Sequence, residues 1–471
     1  MRIPQSPPDF DKLVQTTGAR LPSIFLELPK WSKKDKYLHW DELRRRPAPA
    51  GFSHQEWWLG LRFHRQGNLR AIPLNDKRGQ PFRFGQPDAL NELLHQIDRG
   101  LGMALGLPEA LAQPDTRDRY VINTLIEEAI TSSQLEGAAT TRQVASEMLR
   151  TGRRPRDVHE RMILNNYLTM QRIRDLRDRD LTPELVLELH RRVTDGTLEN
   201  PDASGRFRRA DESIKVVDEI EGTVYHEPPP AGELPARLEA MCAFANGTTP
   251  EFFVHPVVRA ILLHFWLAYD HPFVDGNGRT ARALFYWCML RRDYPLFEFI
   301  SISQILLRAP VQYAEAFLHT ETDGNDLTYF LLHQAGVVKK AVASLRDYLT
   351  EKRAELGRAS VCLRGVPDLN HRQQSLLLHA LREPHTRYVI TGHQRSHNVS
   401  HQTASNDLYD LVERGLLTVL PTGRPRIFLA VPDLSEKLAK LAVRGDTDKP
   451  PLIADGNETL PLDLRPPHGL K

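Results

Sequence analysis

One segment near the middle of the chain, residues 257–270 (VVRAILLHFWLAYD), is apolar on nearly every side when it is drawn as a helix. Such a helix is stable only when other elements cover it all round, so the segment predicts a buried central helix. Several other stretches carry apolar residues at a spacing of three to four, namely residues 121–130, 161–176, 183–193 and 234–246. The sequence therefore predicts a mostly α-helical protein.

Strand patterns are few. Residues 214–226 (IKVVDEIEGTVYH) predict a short β-hairpin whose turn lies at Glu221-Gly222. Pro228, Pro229 and Pro230 follow and end the hairpin, because proline cannot continue a strand ladder.

The length of 471 residues suggests two to four domains. Four of the six Trp lie before residue 60, among short predicted strands, so residues 1–115 are predicted to form a separate mixed module without an assigned role. A helical core at 116–338 and a helical linker at 339–366 follow. The predicted order closes with a compact unit at 367–432 and a flexible tail at 433–471.

The compact unit has three helical stretches and then two short strands around Thr422-Gly423. This order is typical of a winged helix-turn-helix. It would place four polar residues at the base-reading end of the third helix and two cations in the wing; they are Gln402, Thr403, Ser405 and Asn406, and Arg424 and Arg426. Binding of DNA and binding of protein, including formation of a homodimer, both stay open.

Bulk properties exclude several classes of protein. A net charge of +2 is too small for a nucleic-acid coat protein. Three scattered cysteines form neither a disulfide framework nor a zinc pattern. The start of the chain lacks a signal peptide, and the longest apolar run, residues 261–269, is too short to span a membrane. A soluble cytoplasmic protein is expected. His393, His397 and His401 are interrupted by a loop-like sequence, which favours surface or capping roles over metal binding.

The stretch from His271 to Arg282 (HPFVDGNGRTAR) carries the densest chemistry in the chain. Gly276 and Gly278 permit a tight turn that opens a new helix, whose first N–H groups then point toward one place. Asn277 lies between the two glycines and belongs to the same turn. A helix N-terminus of this kind binds anions, most naturally phosphates.

Charged side chains around the turn extend this prediction. Arg279 and Arg282 lie three residues apart and suit a polyphosphate. The carboxylate of Asp275 would repel phosphate unless Mg²⁺ bridges them. His271 can accept a proton from an attacking hydroxyl group. Together these residues predict the transfer of part of a nucleotide to a hydroxyl group.

These residues resemble the signature of the Fic family, H-x-F-x-D/E-G-N-G-R-x-x-R, and fill every specified position. The resemblance extends over roughly residues 118–334. It implies an all-helical core and transfer of AMP from ATP to a hydroxyl group of a target protein. It also implies that His271 is the general base, that Asp275 holds Mg²⁺, and that Gly276 to Gly278, with both arginines, hold the phosphates.

Two further stretches are similar to family features. Gly205 to Arg209 (GRFRR) resembles the turn before a target-docking flap. That flap would be formed by Ile214, Lys215, Val216 and Val217, with the target adding as a strand. Tyr313 falls where the family often has a tyrosine pair near adenine, but Ala314 follows, so a packing role is expected for Tyr313.

Residues 132–137 (SSQLEG) resemble the inhibitory motif of the class with an N-terminal inhibitory helix, with Ser132, Glu136 and Gly137 in the specified places. The resemblance implies that Glu136 pairs with Arg282 and keeps that arginine from the γ-phosphate. In related proteins the same glutamate also assists removal of AMP, and both roles stay open for Glu136.

Two alternatives accompany this prediction. The first is a DNA-binding regulator whose core only senses a nucleotide. The second is a Fic-type enzyme that transfers another phosphate-containing group, such as UMP or phosphocholine, because an anion site does not identify the nucleoside.

Overall fold

The computed structural model describes residues 2–32, 35–104, 114–217, 222–366, 368–382, 386–420 and 426–447. These residues are mostly helical, with three two-stranded antiparallel hairpins. The chain divides into two compact units, residues 1–349 and 350–471.

The hairpins are β1 (Arg70–Asn75) with β2 (Pro81–Phe84), β3 (Val216–Val217) with β4 (Val224–His226), and β5 (Leu417–Val419) with β6 (Phe428–Ala430). The helices up to the central pair are α1 (Phe10–Thr17), α2 (Leu21–Ser32), α3 (Trp40–Leu43), α4 (His54–Gln66), α5 (Asp88–Ala104), α6 (Pro114–Leu135), α7 (Arg142–Thr151), α8 (Val158–Asp175), α9 (Pro183–Val193) and α10 (Leu234–Asn246). The remaining helices are α11 (Pro256–Asp270), α12 (Asn277–Arg291), α13 (Ser303–Leu307), α14 (Pro310–Thr322), α15 (Thr328–Gly365), α16 (His371–Arg382), α17 (Ile390–His397), α18 (His401–Glu413) and α19 (Leu434–Thr447).

The predicted central helix is confirmed as α11. Ile261, Leu262, Leu263 and Phe265 have no exposed surface. Helix α12 packs against α11 and is almost as deeply buried, so the turn between the two helices is held on both sides by the core.

The expected separation of residues 1–115 from the core is not what the structure has, because these residues belong to the same compact unit as α11. The first hairpin supplies core side chains, and the ring of Phe82 lies 5.4 Å from Phe265 and 4.7 Å from Tyr269 between centroids. A second apolar cluster, around Trp40 and Trp58, packs the helices of the N-terminal segment together. Two short strands are only weakly marked in a sequence, so this packing was not predicted.

Helix α6 carries the predicted inhibitory motif at its C-terminal end. Its apolar face packs against α7 and α8 through a cluster of Ile126, Ala129, Ile130 and Ile163, among others. The helix is thus part of the core of the first unit rather than an appended segment.

The second unit contains the predicted order of three helices and two strands, α16 to α18 followed by β5 and β6. Its own apolar core includes Leu377, Leu408, Leu411 and Phe428. The assignment to the winged helix-turn-helix class stays a prediction; Thr422, Gly423 and Arg424 lie outside the described residues. His393 and His397 lie on α17 whereas His401 begins α18, as the interrupted spacing predicted.

One segment predicted as flexible contains regular structure. Helix α19 begins at Leu434, inside the predicted tail 433–471, and Leu434 and Leu438 are buried in the core of the second unit. The leucines at a spacing of four explain the helix, and the Pro-rich composition further along the chain obscured them. Among the described residues, none of the helices has the length and apolar character needed to cross a membrane.

Candidate active site

The turn between α11 and α12 is shaped by two residues with positive φ. His271 ends α11 at φ 43°, and Gly276 precedes α12 at φ 82°. A Cβ atom on Gly276 would lie 2.7 Å from Cγ2 of Thr194, so both the backbone angle and the available space require glycine.

The side chain of Asn277 closes this turn on itself. Its Oδ1 accepts a hydrogen bond from the Phe273 amide at 3.0 Å, and its Nδ2 donates to the Phe273 carbonyl at 2.9 Å. The side chain is therefore fully used within the turn, and only the backbone N–H of Asn277 is left for an anion.

His271 is arranged as a neutral base. Burial lowers its pKa to about 4, with a further lowering from His226. Its Nδ1 lies 3.3 Å from the carbonyl oxygen of Ala268, which suits an Nδ1–H donor and leaves Nε2 as the proton acceptor. The His271 carbonyl accepts a hydrogen bond from Nε of Arg208 at 2.9 Å, so the GRFRR segment fixes the position of the base.

Asp275 presents a carboxylate to solvent at the edge of the turn, with 52% of its side chain exposed. Its Oδ2 accepts a hydrogen bond from Nη2 of Arg279 at 3.0 Å. This accessible carboxylate lies beside the N–H groups at the start of α12, where phosphate is predicted to bind. The arrangement fits Mg²⁺, which prefers one or two carboxylates together with phosphate oxygens and water. The described residues contain no group of three or more His, Cys, Asp or Glu side chains that would form a protein-only metal site.

The two arginines face different partners. Arg279 is fully buried; its Nη1 donates to the Val193 carbonyl at 3.2 Å and its Nη2 to Asp275. The guanidinium of Arg282 faces the end of α6 instead. The two arginines therefore make different contacts in the structure, and the phosphate-binding roles of both stay predictions.

Arg282 is bound by the motif at the end of α6. Its Nε donates to the Ser132 hydroxyl at 2.8 Å, and its Nη2 donates to the Ser132 carbonyl and to Oε1 of Glu136, both at 2.9 Å. Burial opposes the charge on Arg282, but the Glu136 carboxylate raises its pKa above the usual value. The predicted residues Ser132 and Glu136 therefore meet Arg282 across 150 and 146 positions of the chain.

Gly137 and Gly278 explain how Glu136 reaches this place. Gly137 has a φ of 89° and ends α6 with a left-handed turn, which the Ala138 amide closes by donating to the Ser133 carbonyl at 3.0 Å. A Cβ on Gly278 would collide with Oε1 of Glu136. The carboxylate therefore lies directly over the first turn of α12, where the anion site was predicted.

His190 is a supporting residue that was missed from the sequence. The ring of His190 stacks on Phe273 with centroids 3.7 Å apart. Its Nδ1 accepts from the Gly205 amide at 3.0 Å, so its Nε2–H donates to the Asp275 carbonyl at 2.9 Å. Burial lowers the pKa of His190 to about 4, which favours this neutral form. A single histidine within an amphipathic helix gives no sign of such a role.

The remaining predicted positions are described only in part. The flap strand covers Val216 and Val217, while Ile214 and Lys215 precede it and residues 218–221 lie outside the described residues. Val216 and Val217 are exposed, as a docking strand requires. The hydroxyl of Tyr313 lies 2.7 Å from Nε2 of His264, and a packing role for Tyr313 stays a prediction.

Comparisons with known proteins agree with this geometry. Residues 180–289 match the model of the Fic/DOC family. Two relatives named "Protein adenylyltransferase Fic" are similar to this chain: that of Drosophila melanogaster is 37% identical over 119 residues, and that of Nematostella vectensis is 35% identical over 115 residues. These alignments cover 25% and 24% of this chain and 21% and 24% of the relatives, so the match spans about a quarter of their length or less.

Two solved structures are also similar. A Fic family protein from Desulfovibrio desulfuricans has a TM-score of 0.49 and 19% identity, covering 73% of this chain and 96% of that one. Fic-1 from C. elegans has a TM-score of 0.47 and 17% identity, covering 74% of this chain and 90% of that one. The family match includes every residue of the turn from His271 to Arg282, and the chain therefore carries a domain of the Fic/DOC family.

Proposed function

We propose that this protein is an autoinhibited protein adenylyltransferase, which transfers AMP from ATP to a Ser, Thr or Tyr hydroxyl group of a target protein or of itself. The names of the matched relatives support adenylyl transfer. The observation that carries autoinhibition is the ion pair between Glu136 and Arg282, 2.9 Å long and almost excluded from solvent on the arginine side.

The proposed reaction uses the groups of the turn in a defined order. Nε2 of His271 takes the proton from the target hydroxyl, whose oxygen attacks the α-phosphorus of ATP. The bond from that phosphorus to the bridging oxygen breaks, and pyrophosphate leaves. The free N–H groups at the start of α12 and the two arginines stabilise the charge that develops on the phosphates.

Asp275 is the residue that would hold Mg²⁺ together with phosphate oxygens. The cation supplies neutralisation of phosphate charge when it is bound. Arg279, at 3.0 Å from the Asp275 carboxylate, keeps that carboxylate oriented toward the turn.

Inhibition follows from competition for Arg282. A carboxylate and a phosphate can each bind a guanidinium group through the same N–H donors. A phosphate therefore binds Arg282 only when the Glu136 carboxylate has moved away. Because Glu136 also covers Gly278, it excludes phosphate oxygens from the first turn of α12 as well. Removal of AMP from a modified target is also part of the proposal, with the Glu136 carboxylate orienting a water molecule.

The chemical identity of the transferred group is tested with ATP labelled at the α-phosphate or at the γ-phosphate. We expect label on denatured protein from the α-position alone, in the Glu136→Gly variant. Label from the γ-position indicates phosphoryl transfer and contradicts the proposal. Labelled UTP and CDP-choline, run in parallel, test the alternative transferred groups.

A second candidate function, DNA binding, concerns the second unit. Gln402 and Asn406 are exposed on the first turns of α18, where a recognition helix contacts bases, and Gln402 donates to Asn406 at 2.8 Å. Arg426 would meet phosphates. We expect full-length protein to shift labelled duplex DNA, with affinity that falls as salt increases and with Gln402→Ala. Labelled DNA that migrates equally with and without the protein at low salt contradicts this function.

Two further properties complete the proposal. We place the protein in the cytoplasm, since Cys242 and Cys288 are free and buried, as in reducing compartments. A homodimer is tested by light scattering of the full chain.

A further inference from the structure

His226 lies at the base of the flap hairpin and contacts two distant elements. It is the last residue of β4, opposite Val216, and its side chain is 8% exposed. Its Nε2 lies 2.7 Å from the carbonyl oxygen of Tyr269 on α11, and its Nδ1 lies 2.8 Å from Oε2 of Glu321 on α14. One imidazole therefore connects the flap, the end of the central helix and α14.

Both partners of this ring are hydrogen-bond acceptors. A carbonyl oxygen and a carboxylate have no hydrogen to give, so each ring nitrogen must carry one to bond them both. The charged imidazolium is the form of His226 that does so. Its position also suits a cation, because the Tyr269 carbonyl belongs to the last turn of α11, at the negative end of the helix dipole.

The charge of His226 lies within reach of the catalytic turn. The ionisable groups that face it are Glu321 from α14 and Asp270, Tyr269 and His271 from the end of α11. Its charge lowers the pKa of His271, adding to the larger effect of burial.

Other contacts hold the end of α11 without a hydrogen bond to the His271 ring. Nε of Arg237 and Nε1 of Trp266 both donate to the Asp270 carboxylate, at 2.8 and 3.0 Å. Arg208 donates a hydrogen bond to the carbonyl oxygen of His271. His226 is thus the group that ties the flap to the peptide two residues before the base.

We propose that His226 is a positioning residue for the reaction: its imidazolium fixes the end of α11 against the flap and keeps His271 in the neutral, proton-accepting form. This inference rests on the proposed function. It assigns the flap a second role beside target docking, because a target strand pairing with β3 would act on the same hairpin that carries His226.

The test compares variants of the full chain in the active Glu136→Gly background. His226→Gln keeps a donor but removes the charge, and His226→Lys keeps the charge but loses the two-sided contact. Asp98→Asn is the matched control, since Asp98 accepts from His255 in a His–carboxylate pair at the start of the same helix, 3.0 Å long. The rate of AMP transfer is measured against pH for each variant.

We expect His226→Gln to lower kcat about tenfold with little change in KM for ATP. Loss of the neighbouring charge raises the pKa of His271, so the acidic limb of its pH profile moves to higher pH. His226→Lys returns the limb toward that of the parent, and Asp98→Asn leaves it unmoved. An unmoved limb in His226→Gln overturns the inference, even when kcat falls.

A measurement without turnover separates this inference from the proposed function. NMR titration of ¹³C-labelled histidines, assigned with His271→Ala, reads the protonation of His271 directly. An upward shift of the His271 titration in His226→Gln supports the inference. It does so even when the parent protein transfers no nucleotide, because absence of transfer rejects only the proposed function. An unchanged titration overturns the positioning role.

Discussion

At the scale of single residues, the site depends on side chains and backbone groups that are close together in the sequence, within one turn. The backbone of His271, Gly276 and Asn277 forms one closed turn, and the Asn277 side chain seals it through Phe273. The residues that carry charge, Asp275 and Arg279, then project from a turn that has little freedom left. This local character is the reason why the turn was predictable from twelve residues of sequence.

The first prediction at this scale concerns pH. Burial lowers the pKa of His271 to about 4, and the neutral form is the one that accepts a proton. The base is therefore active above that pKa and is lost as the pH falls through it. In Glu136→Gly we expect transfer to stay nearly constant from pH 8 to about 6, where an ordinary histidine is already substantially protonated.

The rate is measured on the Glu136→Gly variant across this range, with circular dichroism to show that the fold persists. A half-maximal rate near pH 6.5, with the fold intact, contradicts the assignment of a buried neutral base.

At the scale of elements, helix α6 is held in place by a buried carboxylate. Glu128 accepts hydrogen bonds from the hydroxyls of Tyr286 and Ser301, both at 2.8 Å, and from the Ser303 amide at 3.1 Å. Burial raises its pKa, and these donors oppose that effect. The contact lies one turn before Ser132, so it sets where the inhibitory end of the helix rests.

We predict that Glu128→Ala loosens α6 and raises basal transfer while lowering thermal stability. Its loss leaves several buried donors without a partner, each worth ~1–3 kcal/mol. Asn123→Ala, at an exposed position of the same helix, is the control and changes neither quantity by much.

Glu128→Gln keeps the shape of the side chain and is measured beside Glu128→Ala. Basal transfer that stays at the wild-type level in both variants, with folded protein, means that this anchor does not control inhibition.

The limits of sequence prediction are clearest at this scale. The pairing of Glu136 with Arg282 was expected because both residues belong to recognisable motifs. Glu128 and His226 were not expected, because their partners lie 43 to 175 positions away and no local pattern marks them. The helical character of the core followed from periodicity, whereas the inclusion of residues 1–115 in that core depends on the packing of Phe82, which periodicity does not report.

At the scale of the whole molecule, the candidate site is contained in one unit. All of its residues, from Ser132 to Arg282, lie within residues 1–349, and the second unit has a core of its own. The proposed transfer reaction and the proposed DNA binding are therefore assigned to different units.

We accordingly predict that a chain ending at Leu349 with the Glu136→Gly substitution retains transfer within about threefold of the full-length variant, less than 1 kcal/mol in activation free energy. Radiolabel retention and a thermal melt are measured for both lengths. A folded but inactive shorter chain shows that the second unit takes part in the reaction, against this division of roles.

The central claim is that Glu136 inhibits a nucleotide transfer for which His271 is the base. Its most direct test is label retained from α-labelled ATP by the wild type, Glu136→Gly and the double variant Glu136→Gly/His271→Ala. We predict at least about a tenfold gain in Glu136→Gly, equivalent to ~1.4 kcal/mol, and background label in the double variant. Equal label in the wild type and Glu136→Gly, or label that persists without His271, contradicts the claim.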